Sequence, residues 1–112
     1  MNLFTDEALV AAAQAGDKAA FGQLIERYRE MVLRVAYQRT GDPDLTHDLA
    51  QETLLQAFLS LTSLREGRYF KSWLYGIAVN VCRMYFRSQR GDLLSLEALA
   101  GGRYREPAAH GP

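Results

Sequence analysis

Very little in this sequence could form a cross-link, bind a metal or enter a membrane. One cysteine, Cys82, occurs in 112 residues, and a single cysteine cannot form an internal disulfide. The two histidines, His47 and His110, are far apart, and no group of Cys, His and Asp has the spacing of a metal site. The sequence contains no run of about 18 apolar residues, so it predicts no transmembrane helix.

Motifs typical of enzymes are also missing. The sequence has no GxSxG, no Walker loop and no GxGxxG. The acidic pair Glu26 and Glu30 has no histidine or nucleophile near it in sequence. The opening residues MNLFTDEALVAAAQAGD lack the basic and apolar regions of a signal peptide. We therefore expect a cytoplasmic protein that is not an enzyme and that needs no cofactor.

The charged residues balance overall but are unevenly distributed along the chain. Thirteen Lys and Arg and thirteen Asp and Glu give a formal net charge of zero. Residues 1–60 nevertheless carry −4, from five basic and nine acidic residues, and residues 61–91 carry +5, from six basic residues and Glu66. The last segment, 92–112, carries −1. This asymmetry indicates surfaces for different partners.

Helical periodicity runs through most of the chain, which has only three prolines. The expected helices run from a cap at Thr5 to near Gly16, from a cap at Asp17 to Gly41, from about Asp44 (after the start signal Asp42-Pro43) to Leu61, and from about Phe70 to Arg90, with a stop at Gly91. Residues Thr62–Tyr69 break the periodicity and are expected to form a loop. The prediction is an all-α fold, a compact bundle of about four helices in residues 1–91 with a flexible C-terminal tail at 92–112.

In the third predicted helix, apolar and polar residues occupy different faces. The predicted buried stripe consists of Ala50, Leu54, Ala57, Phe58 and Leu61. The opposite side is acidic and polar and consists of Asp44, Asp48, Gln51, Glu52 and Gln56. Like charges one turn apart, such as Asp48 and Glu52, are slightly unfavourable, and a protein can tolerate them where a basic partner binds.

The fourth predicted helix also has two faces. Its core stripe consists of Phe70, Leu74, Ile77, Ala78, Val81 and Tyr85. Its other stripe consists of Trp73, Gly76, Asn80, Arg83, Arg87 and Arg90, at alternating spacings of three and four residues. These residue types suit nucleic acid: arginine binds phosphates or base edges, asparagine bonds a base edge, an aromatic ring stacks on an unpaired base and glycine permits close approach.

The predicted loop extends this basic and aromatic character. It contains Arg65, Arg68 and Tyr69, and Lys71 begins the helix that follows. Single-stranded or melted DNA suits such a surface, because base stacking contributes about 1–3 kcal/mol per base. Each feature has an ordinary alternative, since a basic helix face is commonly solvated and a lone Trp is commonly part of the core. Their coincidence on one face favours nucleic-acid binding.

Two segments resemble region 2 of the extracytoplasmic-function (ECF) sigma factors of bacterial RNA polymerase. They are DLAQETLLQAF at 48–58 and FKSWLYGIAVNVCRMYFRSQR at 70–90. The order and spacing of the two strings carry the resemblance, which extends over about 5–91. It implies a transcription initiation domain that docks on RNA polymerase and recognises the minus-ten promoter element.

The resemblance also implies roles for individual residues. The acidic helix would dock on the coiled coil of the polymerase β′ subunit through Asp48, Gln51, Glu52 and Leu55. The promoter non-template strand would be bound by Arg65, Arg68, Tyr69, Phe70, Lys71, Trp73, Gly76, Asn80, Arg83, Arg87 and Arg90, with a base flipped into the loop. An anti-sigma factor is a further partner that the family suggests. Without the resemblance, an ordinary solvated acidic face would be the favoured interpretation of 48–52.

This sequence departs from the family pattern at two positions and in its length. Met84 stands where an Asp is usual, and His47 stands where an acid is common. A complete member continues into a second domain that recognises the minus-thirty-five element. We therefore expect a region 2 domain, truncated or from a degenerate short homologue, with 92–112 as the linker. The alternative function is a helical protein–protein interaction module with no direct role on DNA.

Overall fold

Four helices and two short 3₁₀ turns form the regular structure of residues 4–101. The computed structural model describes residues 4–101, and within that range the regular structure is helical throughout. The elements are α1 (Asp6–Gln14), α2 (Lys18–Thr40), α3 (Pro43–Ser60), 3₁₀ turns at Leu61–Ser63 and Gly67–Tyr69, and α4 (Phe70–Gly101). The predicted all-α class is confirmed.

Short polar side chains fix the starts of the first three helices, as the sequence predicts. Thr5 Oγ1 accepts a hydrogen bond from the backbone of α1 at 3.0 Å, and the carboxylates of Asp17 and Asp42 do the same for α2 and α3. Such caps satisfy backbone amides that have no partner inside the helix. Gly41 ends α2 in the left-handed region at φ 67°, and Pro43 begins α3 two residues later.

The chain divides into two compact units, Met1–Cys82 and Arg83–Pro112. The first contains a hydrophobic core to which α1, α2, α3 and the start of α4 all contribute. Among the residues whose burial the structure describes, the largest fully buried side chains include Phe70, Leu24, Leu74, Val10 and Val32. Cys82 is also buried, and its burial raises the pKa of the thiol, against a smaller lowering by the charge of Arg39.

Polar contacts hold the beginning of α1 on α2. The Asp6 carboxylate accepts hydrogen bonds from Arg27 Nη1 at 2.5 Å and from the Tyr28 hydroxyl. Arg27 also donates through Nη2 to the carbonyl oxygen of Phe4 at 2.8 Å. Burial and the hydrogen bond to Asp6 raise the pKa of Tyr28 to about 12. These contacts fix the N-terminal end of α1 against the middle of α2.

The buried stripe of α3 differs from the predicted one. Ala50 and Ala57 are buried, as is Leu61 just after the helix, but Phe58 is 47% exposed. Two threonines lie in the core instead, and Thr53 satisfies its hydroxyl by donating to the carbonyl oxygen of Leu49 at 2.8 Å. The helical spacing of the apolar stripe predicts that Phe58 is buried. Its ring instead lies partly at the surface, where it meets the Phe21 ring of α2 edge to face at a centroid distance of 5.4 Å.

The end of α4 was also predicted wrongly. The helix does not stop at Gly91 but continues to Gly101. An internal glycine costs a helix only about 1 kcal/mol, and the following residues, DLLSLEALA, contain several good helix formers and no proline. The remainder of the predicted tail, 102–112, lies outside the described residues.

Candidate nucleic-acid interface and acidic face

The segment between α3 and α4, residues 61–69, is anchored on the core and is called the connecting segment. Leu61 and Leu64 are buried in the core, and the backbone amide of Leu64 donates to the carbonyl oxygen of Leu61 at 3.1 Å. The two 3₁₀ turns therefore replace much of the predicted loop. The side chains that point away from these anchors include Arg65, Arg68 and Tyr69, all of which are exposed.

Arg68 links the acidic and aromatic residues of this segment. Its Nε donates to Glu66 Oε1 at 2.9 Å, and its guanidinium carbon lies 4.9 Å from the centre of the Tyr69 ring. Both partners of the ion pair are largely exposed, and such pairs contribute only about 0–1 kcal/mol. Arg68 can therefore exchange Glu66 for a phosphate at little cost while it stays on the tyrosine ring.

Exposed residues continue from the connecting segment along the first part of α4. Lys71, Gly76 and Asn80 are exposed, and a Cβ atom placed on Gly76 would meet nothing within 4 Å. Gly76 and Asn80 are four residues apart and lie on one side of the helix, whereas Lys71, in its first turn, lies on another side. We call the set Arg65, Arg68, Tyr69, Lys71, Gly76 and Asn80 the basic–aromatic surface.

Two predicted DNA contacts differ from the rest of the set. Phe70 is fully buried and contacts the Tyr28 ring at a centroid distance of 5.8 Å. The prediction that Phe70 meets DNA is therefore corrected, because a core side chain offers a base no surface. Trp73 is partly buried, packs against the core and lies 5.7 Å from the Phe70 ring. Only part of the indole is accessible, next to the basic–aromatic surface.

The three remaining predicted DNA residues lie in the second unit of the chain. Arg83, Arg87 and Arg90 are on α4 and are all exposed. In the same unit, the rings of Tyr85 and Phe86 meet edge to face, with their centroids 5.3 Å apart. Met84 is 49% exposed.

The acidic side of α3 is exposed as predicted. Asp48, Gln51 and Glu52 are at the surface, and Glu52 accepts a hydrogen bond from Gln56 at 3.1 Å. Leu55, one turn further along α3, is 51% exposed. We call Asp48, Gln51, Glu52 and Leu55 the acidic face.

A further apolar residue extends the acidic face. Leu59 is 71% exposed and lies one turn beyond Leu55 on the same side of α3. At the other end, Gln51 lines a cavity of about 140 Å³ between α2 and α3, with Val32 and Leu54 in its wall. Exposed apolar groups beside carboxylates are typical of a docking surface. The sequence interpretation missed Leu59, although its spacing from Leu55 would have indicated it.

The sequence interpretation also missed the contacts that hold the connecting segment. Gln14 donates from one amide nitrogen to the carbonyl oxygens of Leu61 and Leu64, at 2.9 Å each. Gly67 lies against α1, where it leaves no room for a Cβ atom. Gln14 precedes Leu61 by 47 residues, so no local pattern signals the contact.

Residues 4–101 contain neither a metal site nor a membrane-spanning helix. That range contains no group of three or more His, Cys, Asp or Glu side chains placed to hold a metal ion. None of the helices in it is both long enough and apolar enough to cross a bilayer.

Comparison with known families identifies the family of the chain. The family model for sigma-70 region 2 matches residues 24–91, which is more than half of the chain. This chain belongs to the sigma-70 region 2 family. The resemblance seen in the sequence is thereby confirmed.

Curated relatives place the chain near the ECF group. It is 39% identical to the ECF RNA polymerase sigma-E factor of Haemophilus influenzae over 85 residues, which are 76% of this chain and 44% of that protein. It is 41% identical to the ECF RNA polymerase sigma factor BldN of Streptomyces coelicolor over 83 residues, 73% of this chain and 31% of that protein. The chain thus spans less than half the length of these relatives.

A solved structure is similar in fold and sequence. It is the NMR structure of the complex formed by an engineered region 2 of sigmaE with GTAAAA. The match covers 83% of this chain and 98% of that one, with a TM-score of 0.74 and 35% identity. The likeness extends over nearly the whole of that domain.

Proposed function

We propose that this chain is the promoter-recognition domain of a transcription initiation factor that works in the cytoplasm. The acidic face docks on the coiled coil of the RNA polymerase β′ subunit. The basic–aromatic surface, with the accessible edge of Trp73, binds the non-template strand of the minus-ten element and helps to melt it. In the second unit, Arg83, Arg87 and Arg90 bind phosphates. The polymerase performs the chemistry, and this domain supplies recognition.

The observation that carries the DNA part is the exposed basic–aromatic surface in a chain so similar to a domain solved with GTAAAA. Arg65, Arg68 and Lys71 are exposed cations that can bind phosphates. Tyr69 is an exposed ring on which an unpaired base can stack. Asn80 carries an amide that can bond a base edge. Flipping a base costs a few kcal/mol, which these contacts offset.

The composition of the acidic face supports the polymerase part. Asp48 and Glu52 repel each other across one helical turn, and a basic partner relieves that repulsion on binding. Leu55 and Leu59 provide apolar area beside the carboxylates, as in the desolvated centre of an interface. Charge complementarity would speed the encounter and orient the partner.

The second candidate function is a protein–protein interaction module without a role on DNA. The exposed apolar side chains of α3 account for partner binding whether or not the domain meets DNA. In that case the basic–aromatic surface is solvated or meets an acidic protein. The two functions differ in whether the chain selects a nucleic-acid sequence.

Selection from a random pool tests the DNA part directly. The full chain is incubated with labelled DNA single strands that carry a randomised hexanucleotide between fixed flanks, and the bound strands are sequenced. We expect one family of hexanucleotides to be enriched, and total binding to weaken as salt rises because phosphate contacts contribute. Arg68→Ala should reduce recovery, whereas Arg34→Ala, at an exposed position on α2, should not. Unselective recovery by the wild type contradicts the proposal and leaves the second function.

A further inference from the structure

One side chain of α1, that of Gln14, is hydrogen-bonded to the start of the connecting segment. The Gln14 amide nitrogen carries two hydrogens, and each is directed at a different carbonyl, that of Leu61 and that of Leu64, at 2.9 Å. The Leu61 carbonyl also accepts from the Leu64 amide at 3.1 Å. Gln14 therefore holds both ends of the first 3₁₀ turn with a single group.

The other end of the segment rests on the same helix. Gly67 begins the second 3₁₀ turn and lies against Val10 and the backbone of Glu7. Between these two anchors, Arg65 and Glu66 are exposed. Helix α1 thus supports the segment at two points, and the residues proposed to meet DNA are displayed between and just beyond those points.

Helix α1 is itself fixed, so it can act as a support. Asp6 accepts hydrogen bonds from Arg27 and Tyr28 of α2, which hold the opposite end of α1 from Gln14. The match to the family model begins at residue 24 and does not include α1. Helix α1, which supports the connecting segment, therefore lies outside the residues that match the family model.

We propose that Gln14 is a positioning residue for strand recognition. It holds the connecting segment in its strand-binding conformation before DNA arrives, so that the segment loses little conformational freedom on binding. Preorganisation of this kind improves affinity because ordering costs are not incurred in the complex. The inference rests on the proposed function. Recognition then depends on a side chain that does not itself contact the strand.

The two kinds of DNA contact should respond differently to a loosened segment. Phosphate contacts tolerate a mobile segment, because they depend on charge and little on exact placement. Base contacts require defined geometry. Loss of the Gln14 hydrogen bonds should therefore reduce sequence selectivity more than total binding, whereas a general loss of folded protein would reduce both in proportion.

The test compares Gln14→Glu with the wild type and with Gln23→Glu. Glutamate keeps the size of glutamine but removes both donors, and Gln23 is an exposed glutamine of α2 that matches the change in charge. Dissociation constants are measured for the hexanucleotide enriched from the random pool and for its scrambled form. Selectivity is the dissociation constant for the scrambled form divided by that for the enriched form. We expect this ratio to fall about tenfold in Gln14→Glu, because two neutral hydrogen bonds are lost. In Gln23→Glu the ratio should stay at the wild-type value.

The outcomes separate this inference from the proposed function. A selective wild type and an equally selective Gln14→Glu overturn the inference alone. An unselective wild type overturns the proposed function and the inference with it. Helicity by circular dichroism confirms that the variant is folded.

Hydrogen exchange on the wild type provides a test that needs no variant. The amides of Leu64 and Tyr69 donate to Leu61 and Glu66 and should be protected before DNA is added. If they exchange freely in the free protein and become protected only with the bound strand, the segment is not preorganised and the inference fails.

Discussion

Gly67 lies so close to Val10 that no side chain fits between them. A Cβ atom on Gly67 would stand 2.9 Å from the Cβ of Val10 and 3.1 Å from the Cα of Glu7. Neither of those atoms can move by rotating a side chain, because one is the first side-chain atom and the other is backbone. The second 3₁₀ turn therefore docks on α1 only with glycine at position 67.

We predict that Gly67→Ala destabilises the fold. Overpacking against atoms that cannot yield costs about 1–3 kcal/mol, so the urea midpoint should fall. Gly76→Ala is the matched control, since its Cβ meets nothing within 4 Å in α4, and alanine stabilises a helix interior by about 0.5–1 kcal/mol. An unchanged midpoint in Gly67→Ala would show that the turn does not dock as described.

The helix starts were predictable because their signals are local. Thr5, Asp17 and Asp42 each stand within three residues of the amides they accept from, so spacing along the chain is enough to identify them. Gln14 and Gly67 gave no such signal. The partners of Gln14 are 47 and 50 residues away, and only the packing of α1 on the connecting segment brings them together.

The error on Phe70 came from the family resemblance, which assigned it to DNA, and not from the helical wheel, which placed it in the core stripe where it is buried. Phe70 and Trp73 follow one another within a turn of α4, and a helical wheel assigns them to different faces. In the structure the two rings pack together, because an indole is large enough to reach the core from the edge of the polar side. The acidic face was predictable, since charges at helical spacing seldom lie in a core.

Trp73→Ala should therefore change stability as well as DNA binding. Truncation of a fully buried Trp costs about 3–5 kcal/mol, and for the partly buried Trp73 we expect about 2 kcal/mol in the free energy of unfolding. Trp73→Phe keeps a ring against Phe70 and should remain near wild-type stability. Equal stability of Trp73→Ala and wild type would place the indole outside the core.

The burial of Tyr28, together with its hydrogen bond to Asp6, should make stability depend on alkaline pH. Because the pKa of Tyr28 is raised from 10.0 to about 12, the folded state keeps its phenolic proton where the unfolded state releases it. The stabilisation is complete below pH 10 and is lost as the pH rises from 10 to 12. The free energy of unfolding should thus fall more steeply in that range for wild type than for Tyr28→Phe.

Tyr37→Phe serves as the control for this measurement. Tyr37 is on the same helix but is 52% exposed, so its replacement should leave the alkaline slope of the wild type unchanged. Urea titrations at several pH values between 9 and 12 give the slopes. Identical slopes for wild type and Tyr28→Phe would contradict a raised pKa of Tyr28 in the folded state.

Charge reversal on the acidic face should abolish docking on polymerase. Glu52→Arg places a cation where a basic partner is proposed to bind, and like charges at a contact cost several kcal/mol. Glu26→Arg makes the same change at an exposed position of α2 and should bind normally. Capture on an immobilised β′ coiled coil measures the binding of both variants. Equal capture of Glu52→Arg and Glu26→Arg would show that the acidic face does not dock on the coiled coil.

The most direct test of the central claim is the ratio of two dissociation constants. Fluorescence anisotropy gives the constants of the full chain for the enriched hexanucleotide and for its scrambled form at one salt concentration. Recognition of a single base is worth about 1–3 kcal/mol. The wild type should therefore bind the enriched hexanucleotide about tenfold or more tightly than the scrambled form, and Asn80→Ala should show a smaller difference. A wild-type ratio of one would show that this surface binds phosphates without recognising bases and would contradict the account.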